Sequence, residues 1–435
     1  MVLEGVYSLD ILFKDNLEFA RELDSRDEIF HIRERFYLQE GQIYMDGNSL
    51  GVCSKDAEEY VLNMLETWKK EGINIWGVEE GKYFLYQNYL GKLTAPLIGA
   101  DPEEVTVGNS TTVNIHQCIA TFYKPTTERY KIIVDDLNFP TDRYAIDSQV
   151  KLKGYEVEEA VKVVHSRDGR LIAENDVIEA MADDVAIIFL PSVYYRSAQL
   201  LDMERITREA QKRGILMGWD LAHSIGSVPH DLKTLDCDFA VWCNYKYLAG
   251  GPGATAGMYI NKKHFLMEPG LAGWHGNKKK TQFLLKQNFE HETNAGGWQI
   301  GTQPLLSMAP IEGVLKLYNE AGMDKIRKKS LLLTEYLMFL IDERLQKYGC
   351  QVGTPRDDSR RGGHVALEHD EAYRICAALK EHNVIPDFRE PNIVRLAPVA
   401  LYVSFEEVYR LVNILENILV NREYEQFSHQ RTLVV

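Results

Sequence analysis

The stretch ILMGWDLAHSIGSVPHDLKTLDCDFAVWCNYKYLAGGPG, residues 215–253, decides how this chain folds. It holds two short apolar runs, Ile215–Trp219 and Phe239–Trp242, each ending at a polar residue that matters chemically. Uninterrupted apolar runs of this length suit strands buried on both faces, as in a parallel sheet covered by helices. Just before the first run lies MERITREAQKRG, a charged helical segment with Gly214 placed to close it at the C′ position. Strand, helix, strand in this order is the unit of an open α/β sheet, whose ligands gather at the carboxyl ends of the strands.

Working outward, Glu104–Val107, Lys131–Val134 and Val185–Leu190 are further strands of the same kind, and Gly253–Ile260 is another, a candidate for antiparallel pairing. After a long helical stretch, Pro310–Tyr348, the pattern changes. HVALEH, DEAYRICAALKEHN, VIPDFRE, IVRLAPVALY and SFEEVYRLVNILENIL give strand, helix, two strands, helix, a small α+β unit. A chain of 435 residues exceeds what one core of about 250–300 residues supports. We therefore expect a large domain over 56–309, a small one over 310–435, and residues 1–55 packing with the small domain.

Bulk properties narrow the function. The net charge of −15, with no block of like charge, disfavours a nucleic-acid or anionic-membrane surface. The most basic run, Lys278–Lys280, is short and reads as a solvated loop. The N-terminus is acidic and lacks the pattern of a secretory signal, and nowhere is an apolar run long enough to span a bilayer. Six scattered cysteines without a C-x-x-C pair suggest reduced thiols in the cytoplasm and no metal site.

Five strand ends carry groups suited to one cofactor. Asp220 ends a strand, with His223 three residues on, and Lys246 follows the next strand 26 residues later. A carboxylate keeps a pyridine nitrogen protonated, and a cleft lysine whose pKa is lowered by desolvation is a competent amine nucleophile; pyridoxal phosphate (PLP) needs both. Alone, Asp220 could as well cap a helix and Lys246 could as well be solvated. Asn109 and Ser110 look like N-caps of a helix running to about Tyr123, so that Ser110, Thr111 and Thr112 with the free N–H groups would form an anion site. In DDLNFPTDRYA, Pro140 fixes the backbone and presents Phe139 and Asp142, and Phe139 could stack on a ring or sit in the core. Ser192 follows the strand Val185–Leu190.

DGNSLG (46–51), NSTTVN (109–114), LNFPTD (137–142), LPSVYYRSAQ, DLAHSIG (220–226), CNYKYLAGGPG (243–253), LAGWHGN (271–277) and RLAPVALY (395–402) together resemble the kynureninases, fold type I PLP enzymes, from about residue 40 to 420. The resemblance implies a mainly parallel seven-stranded sheet flanked by helices and a smaller α+β domain. It implies that Lys246 is the Schiff-base lysine, Asp220 the partner of the pyridine nitrogen, and His223 and Phe139 the groups against the ring. Thr111, Thr112, Pro140, Thr141, Asp142 and Ser192 belong to its cofactor pocket, and Tyr245 contacts the phosphate and serves proton transfer. Arg395 matches the arginine for the substrate α-carboxylate. Trp274 and Thr302 match positions donated by the neighbouring subunit, so a homodimer is implied. Animal members carry a ring-recognising His near Trp76 and an Asn at Thr302, so Trp76 becomes a candidate for stacking on the aryl group.

The reaction implied is hydrolysis of L-kynurenine, or its 3-hydroxy derivative, to anthranilate or 3-hydroxyanthranilate and L-alanine, in tryptophan catabolism or pyridine nucleotide synthesis. The alternative is a cysteine desulfurase or aminotransferase of the same fold. Desulfurases place His before the lysine, where this chain has Tyr245.

Overall fold

The computed structural model describes residues 12–430. The first eleven residues, with the reading of an acidic terminus lacking a signal, and the last five of the expected small domain lie outside that range. The described residues form a seven-stranded sheet from β1 (Val105–Val107), β2 (Lys131–Asp135), β3 (Val161–Val164), β4 (Val185–Pro191), β5 (Leu216–Asp220), β6 (Phe239–Trp242) and β7 (Gly257–Ile260). Their spatial order is β1-β7-β6-β5-β4-β2-β3. All pairs are parallel except those of β7, which runs antiparallel to both β1 and β6. This is the α/β architecture the resemblance implies.

The apolar runs form strands because both faces are covered: Ile187, Ile188, Phe189 and Leu190 of β4 are fully buried. On one face Phe239 stacks between Phe122 at 5.0 Å and Phe189 at 5.8 Å. Gly218 admits that ring, since a Cβ there would lie 2.1 Å from it. Burying one such phenylalanine stabilises the fold by roughly 2–3 kcal/mol. The helix between β4 and β5 spans Met203–Lys212, is capped by Asp202, and ends as expected at Gly214 with φ +64°.

The strands differ from the sequence reading in several places, among them Val161–Val164, which that reading did not name. Gly253–Ile260 becomes a strand only from Gly257, because Gly253 turns at φ +73° and residues 253–256 serve as a loop. VIPDFRE is not one strand but two, Val384–Ile385 and Asp387–Arg389, divided at Pro386, which has no N–H to continue a ladder.

The second sheet is antiparallel, formed by β8 (Gln351–Val352), β9 (Val365–Glu368), β10 (Asp387–Arg389) and β11 (Ile393–Leu396) in the order β10-β11-β9-β8. The N-terminal segment lies against this part of the chain. Arg33 pairs bidentately with Glu407, Asp24 accepts the N–H groups of Phe405 and Glu406, and Ile43–Tyr44 pairs in parallel with Val384–Ile385. Residues 46–51 then run between the two sheets. The Gly51 N–H donates to Tyr245 O at 2.8 Å, and the Ala397 N–H donates to Met45 O at 2.8 Å. Among the described residues no helix is long and apolar enough to cross a membrane, and no cluster of acidic, His and Cys side chains is placed to hold a metal.

Candidate active site

β1, β2, β4, β5 and β6 all point the same way, so the loops after them converge at one edge of the sheet, over a cavity of about 410 Å³. The cavity is lined by Thr111, Thr112, Phe139, Thr141, Asp142, Asp220, His223, Tyr245, Lys246 and Arg395, ten of the residues singled out from the sequence.

At its centre Lys246 Nζ and His223 Nε2 are hydrogen-bonded at 2.7 Å. His223 is buried, and burial first, then the positive charge of Lys246, pulls its pKa far down, so the imidazole is neutral. Its Nδ1 is a buried polar atom without a partner. Asp220 does not cap a helix; its Oδ1 accepts the Ala222 N–H at 2.8 Å in a tight turn after β5. Burial raises the Asp220 pKa, and the Lys246 ammonium opposes the rise. Asp142 is raised well above the carboxylate range, by burial first and by the Asp220 charge second. The Phe139 ring is 42% exposed rather than part of the core, and Lys246 Nζ stands 5.8 Å from its centroid.

The anion cradle forms on different details from those expected. Ser110 alone caps the helix Thr111–Phe122, accepting the Val113 N–H, whereas Asn109 takes a left-handed φ of +56° and bonds Asn114 through its amide. Thr112 and Thr141 hydroxyls meet at 2.8 Å, which draws the starts of the helices Thr111–Phe122 and Pro140–Leu152 together. Tyr245 holds its proton tightly: the adjoining Cys243 thiol, and then burial, push its hydroxyl well above the ordinary range.

Five expected residues do not line this cavity. Pro140 opens the helix that presents Thr141 and Asp142. Ser192 is buried one layer back, its hydroxyl donating to Asp220 O at 3.0 Å and meeting Ser224 Oγ at 2.7 Å. Trp76 sits in a 3₁₀ turn, Gly72–Gly77, half-buried against the apolar core, and does not line the cavity of its own chain. Trp274 and Thr302 are exposed and stand outside the cavity of their own chain. Nor is Lys278–Lys280 wholly a solvated loop. It enters a one-turn helix, and Lys279 is half-buried, its amine donating to His275 O, with a pKa pulled down to about 8 by burial.

Sequence reading missed Asn48, Ser49, Tyr195, Cys243 and Arg389, which also line the cavity. Ser49, Tyr195 and Arg389 gather at Arg395, which is fully buried and held three ways, while Cys243 lies beside Tyr245. Its Nη1 donates to Tyr195 O at 3.0 Å, and its Nη2 donates to Ser49 Oγ at 2.6 Å and pairs with Asp387 at 2.6 Å. Asp387 also binds Arg389 Nε at 2.7 Å, and Arg389 lies 6.0 Å from the centroid of Tyr195. The available signal was that Asn48, Ser49, Tyr195 and Cys243 fall within motifs already singled out.

Asp46 adjoins this cluster, and its carboxyl is pushed up to about 6, first by burial and then by Asp387, against the pull of Arg395 and Ser49. The folded protein thus holds this proton more tightly than the unfolded chain, whose Asp titrates near 3.9. Stability therefore falls as pH rises from about 4 through 6, by an amount on the order of 1–3 kcal/mol. Asp46→Asn, which cannot ionise, should raise Tm relative to wild type at pH 8 and lose that advantage at pH 4. An equal Tm difference at both pH values would reject the assignment.

PLP places four demands on a protein, and these residues can be tested against them. It needs an amine for its aldehyde, a carboxylate for its ring nitrogen, flat groups against its ring and an anion cradle for its phosphate. Lys246, Asp220, Phe139 with His223, and the Thr111–Thr112–Thr141 corner supply these from one cavity, and the unpaired Nδ1 of His223 is a polar atom awaiting a partner. The residues fit the group.

Comparison with known proteins agrees with this chemistry. Residues 326–415 match the kynureninase C-terminal domain. A kynureninase of Bacillus cereus is 53% identical over 422 residues, covering 97% of this chain and 99% of that protein. That of Geobacillus thermodenitrificans is 51% identical over 418 residues, covering 96% and 98%. Among solved structures, an apo cysteine desulfurase from Thermococcus onnurineus superposes with a TM-score of 0.76 at 17% identity, covering 90% of this chain and 98% of that one. A C-DES variant with glycine covalently linked to its PLP cofactor has a TM-score of 0.76 at 16% identity, covering 88% and 99%. These structures share the fold.

Proposed function

This chain belongs to the kynureninase family, and from that premise we propose that its hydrolysis of L-kynurenine to anthranilate and L-alanine runs in the cavity around Lys246 with PLP as cofactor. The observation that carries this placement is the meeting of Lys246, His223, Asp220 and the threonine cradle in one cavity that also contains a buried arginine, Arg395. The desulfurase alternative is not favoured, since the desulfurases are distant relatives in sequence.

When bound, the cofactor supplies an electrophilic carbon for amines and a ring that accepts the electron pair released at the substrate α-carbon. Asp220 would hold the ring nitrogen protonated, Phe139 and His223 would flank the ring, and Thr111, Thr112 and Thr141 would receive the phosphate. Arg395 binds the substrate carboxylate and fixes the α-carbon's position. Lys246, which would hold the cofactor's aldehyde carbon, is placed to take and return the α-proton, with neutral His223 hydrogen-bonded to it at 2.7 Å. The net change breaks Cβ–Cγ, places the oxygen of one water on Cγ as the new carboxylate, and delivers a proton to Cβ. Tyr245, which keeps its proton at neutral pH, is the group we assign to that delivery.

We further read the protein as a cytoplasmic homodimer with shared active sites, the large domain at 56–309 and the small one at 310–435. Supporting the dimer, exposed Trp274 stands 5.7 Å from exposed Phe283, next to exposed Leu284 and Leu285, a costly apolar surface for a monomer. Six unpaired cysteines, five of them buried, fit a reducing compartment. The test is anthranilate fluorescence from kynurenine and from its 3-hydroxy derivative at saturating PLP, with sedimentation run in parallel. Anthranilate release from a dimer is expected. No product from millimolar kynurenine would defeat the placement, and a fully active monomer would defeat the shared site.

A further inference from the structure

DGNSLG (46–51) was singled out in the sequence, yet the mechanism above gives its central asparagine no role. Asn48 is completely buried and lines the cavity, and neither its Nδ2 nor its Oδ1 has a hydrogen-bond partner. Leaving a buried amide unpaired costs about 1–3 kcal/mol per group, so an asparagine kept only for packing would be cheaper as an apolar residue.

Its position is held from several sides. Asp46 pairs with Ala397, two residues beyond Arg395 on the small-sheet strand. A Cβ on Gly47 would lie 2.0 Å from the Tyr402 hydroxyl, and one on Gly51 would lie 2.5 Å from Lys246 O, so only glycine permits these approaches. Ser49, the next residue, accepts from Arg395 Nη2 at 2.6 Å. Arg395 itself keeps one buried donor unpaired, its Nε. Two unpaired donors, Asn48 Nδ2 and Arg395 Nε, thus belong to residues joined through Ser49 at one wall of the cavity.

We propose that Asn48 is a substrate-binding residue that completes the amino-acid subsite, donating through Nδ2 to the α-carboxylate beside Arg395. A carboxamide NH₂ donates to a carboxylate oxygen without adding charge, while the guanidinium supplies the charge. The assignment rests on the placement of the reaction in this cavity, and it concerns the end of the substrate common to kynurenine and alanine.

The experiment uses the holoenzyme and follows the absorbance of bound PLP during titration with L-alanine, L-alaninamide and L-kynurenine. For Asn48→Ala, the Kd for L-alanine and the KM for kynurenine should both rise about 10- to 100-fold, the loss of one hydrogen bond to a charged group, with kcat changed much less. L-alaninamide, which lacks the carboxylate, should bind wild type and variant alike. Asn48→Asp should weaken L-alanine further, and Asn48→Ser, which keeps a donor, should lie between wild type and Ala and provides the test if Ala fails to fold. Weakened kynurenine with unchanged L-alanine would overturn the proposal and assign Asn48 to the aryl ketone. Unchanged affinity for both, or equal weakening of L-alaninamide, would overturn it in favour of a packing role. Failure of wild type to cleave kynurenine would count against the proposed function alone, because the alanine arms read the subsite independently.

Discussion

Lys246→Ala should fold normally and lose kcat by more than about 10³-fold, because one amine serves both as the cofactor's attachment and as the base at the α-carbon. Lys246 sits in a turn held by its surroundings rather than holding them. Its O accepts the Ala249 N–H at 2.8 Å, the Gly250 N–H donates to Asn244 O at 2.8 Å, and the Asn244 side chain donates to Thr255 O at 2.6 Å. Removing the side chain leaves these contacts intact, and His223 loses a partner that the PLP ring can replace. The variant should therefore still bind PLP reversibly, on Asp220 and the threonine cradle, but without a covalent link. Borohydride treatment followed by mass analysis checks this. A reducible PLP linkage elsewhere in the cavity of the variant, or activity within tenfold of wild type, would show that Lys246 is not the attachment.

The second large effect is expected at Arg395. Arg395→Lys should retain PLP and lose kcat/KM for kynurenine by about 10²- to 10³-fold, as expected when one partner of a buried charged pair is removed at a cost of about 2–5 kcal/mol. Arg395 meets Tyr195 O, Ser49 and Asp387 at once and still has an unpaired Nε. A lysine has three donors at a single point and cannot span these partners and a carboxylate together. Asp387 would remain paired through Arg389 at 2.7 Å, so the small sheet should survive the change. Near wild-type kinetics, or a loss of PLP in step with activity, would each reject the role in carboxylate binding.

The cofactor half of the site was legible in the chain because each of its residues follows directly on an apolar run. Lys246 comes after Phe239–Trp242, Asp220 ends Leu216–Asp220, and Phe139 follows Lys131–Asp135. In a parallel sheet every such run ends at the same edge, so local order along the chain already implies convergence in space. The caps were legible for the same reason, since Ser110 and Gly214 act within one turn of the helices they bound.

The substrate half could not be read this way. Arg395 meets Ser49 across 346 residues of chain and Tyr195 across 200, contacts that no local period encodes. They exist because the N-terminal segment lies against the small sheet at Met45–Ala397 and against the Lys246 loop at Gly51–Tyr245. That arrangement also sets Asn48 in the wall of the cavity. Period and order along the chain thus suffice for the parallel sheet, for Lys246 and Asp220 at strand ends, and for the capped helix Thr111–Phe122. Which side chains gather around Arg395 depends on the tertiary structure, where burial of apolar faces brings distant segments together and leaves particular polar atoms unpaired beside them.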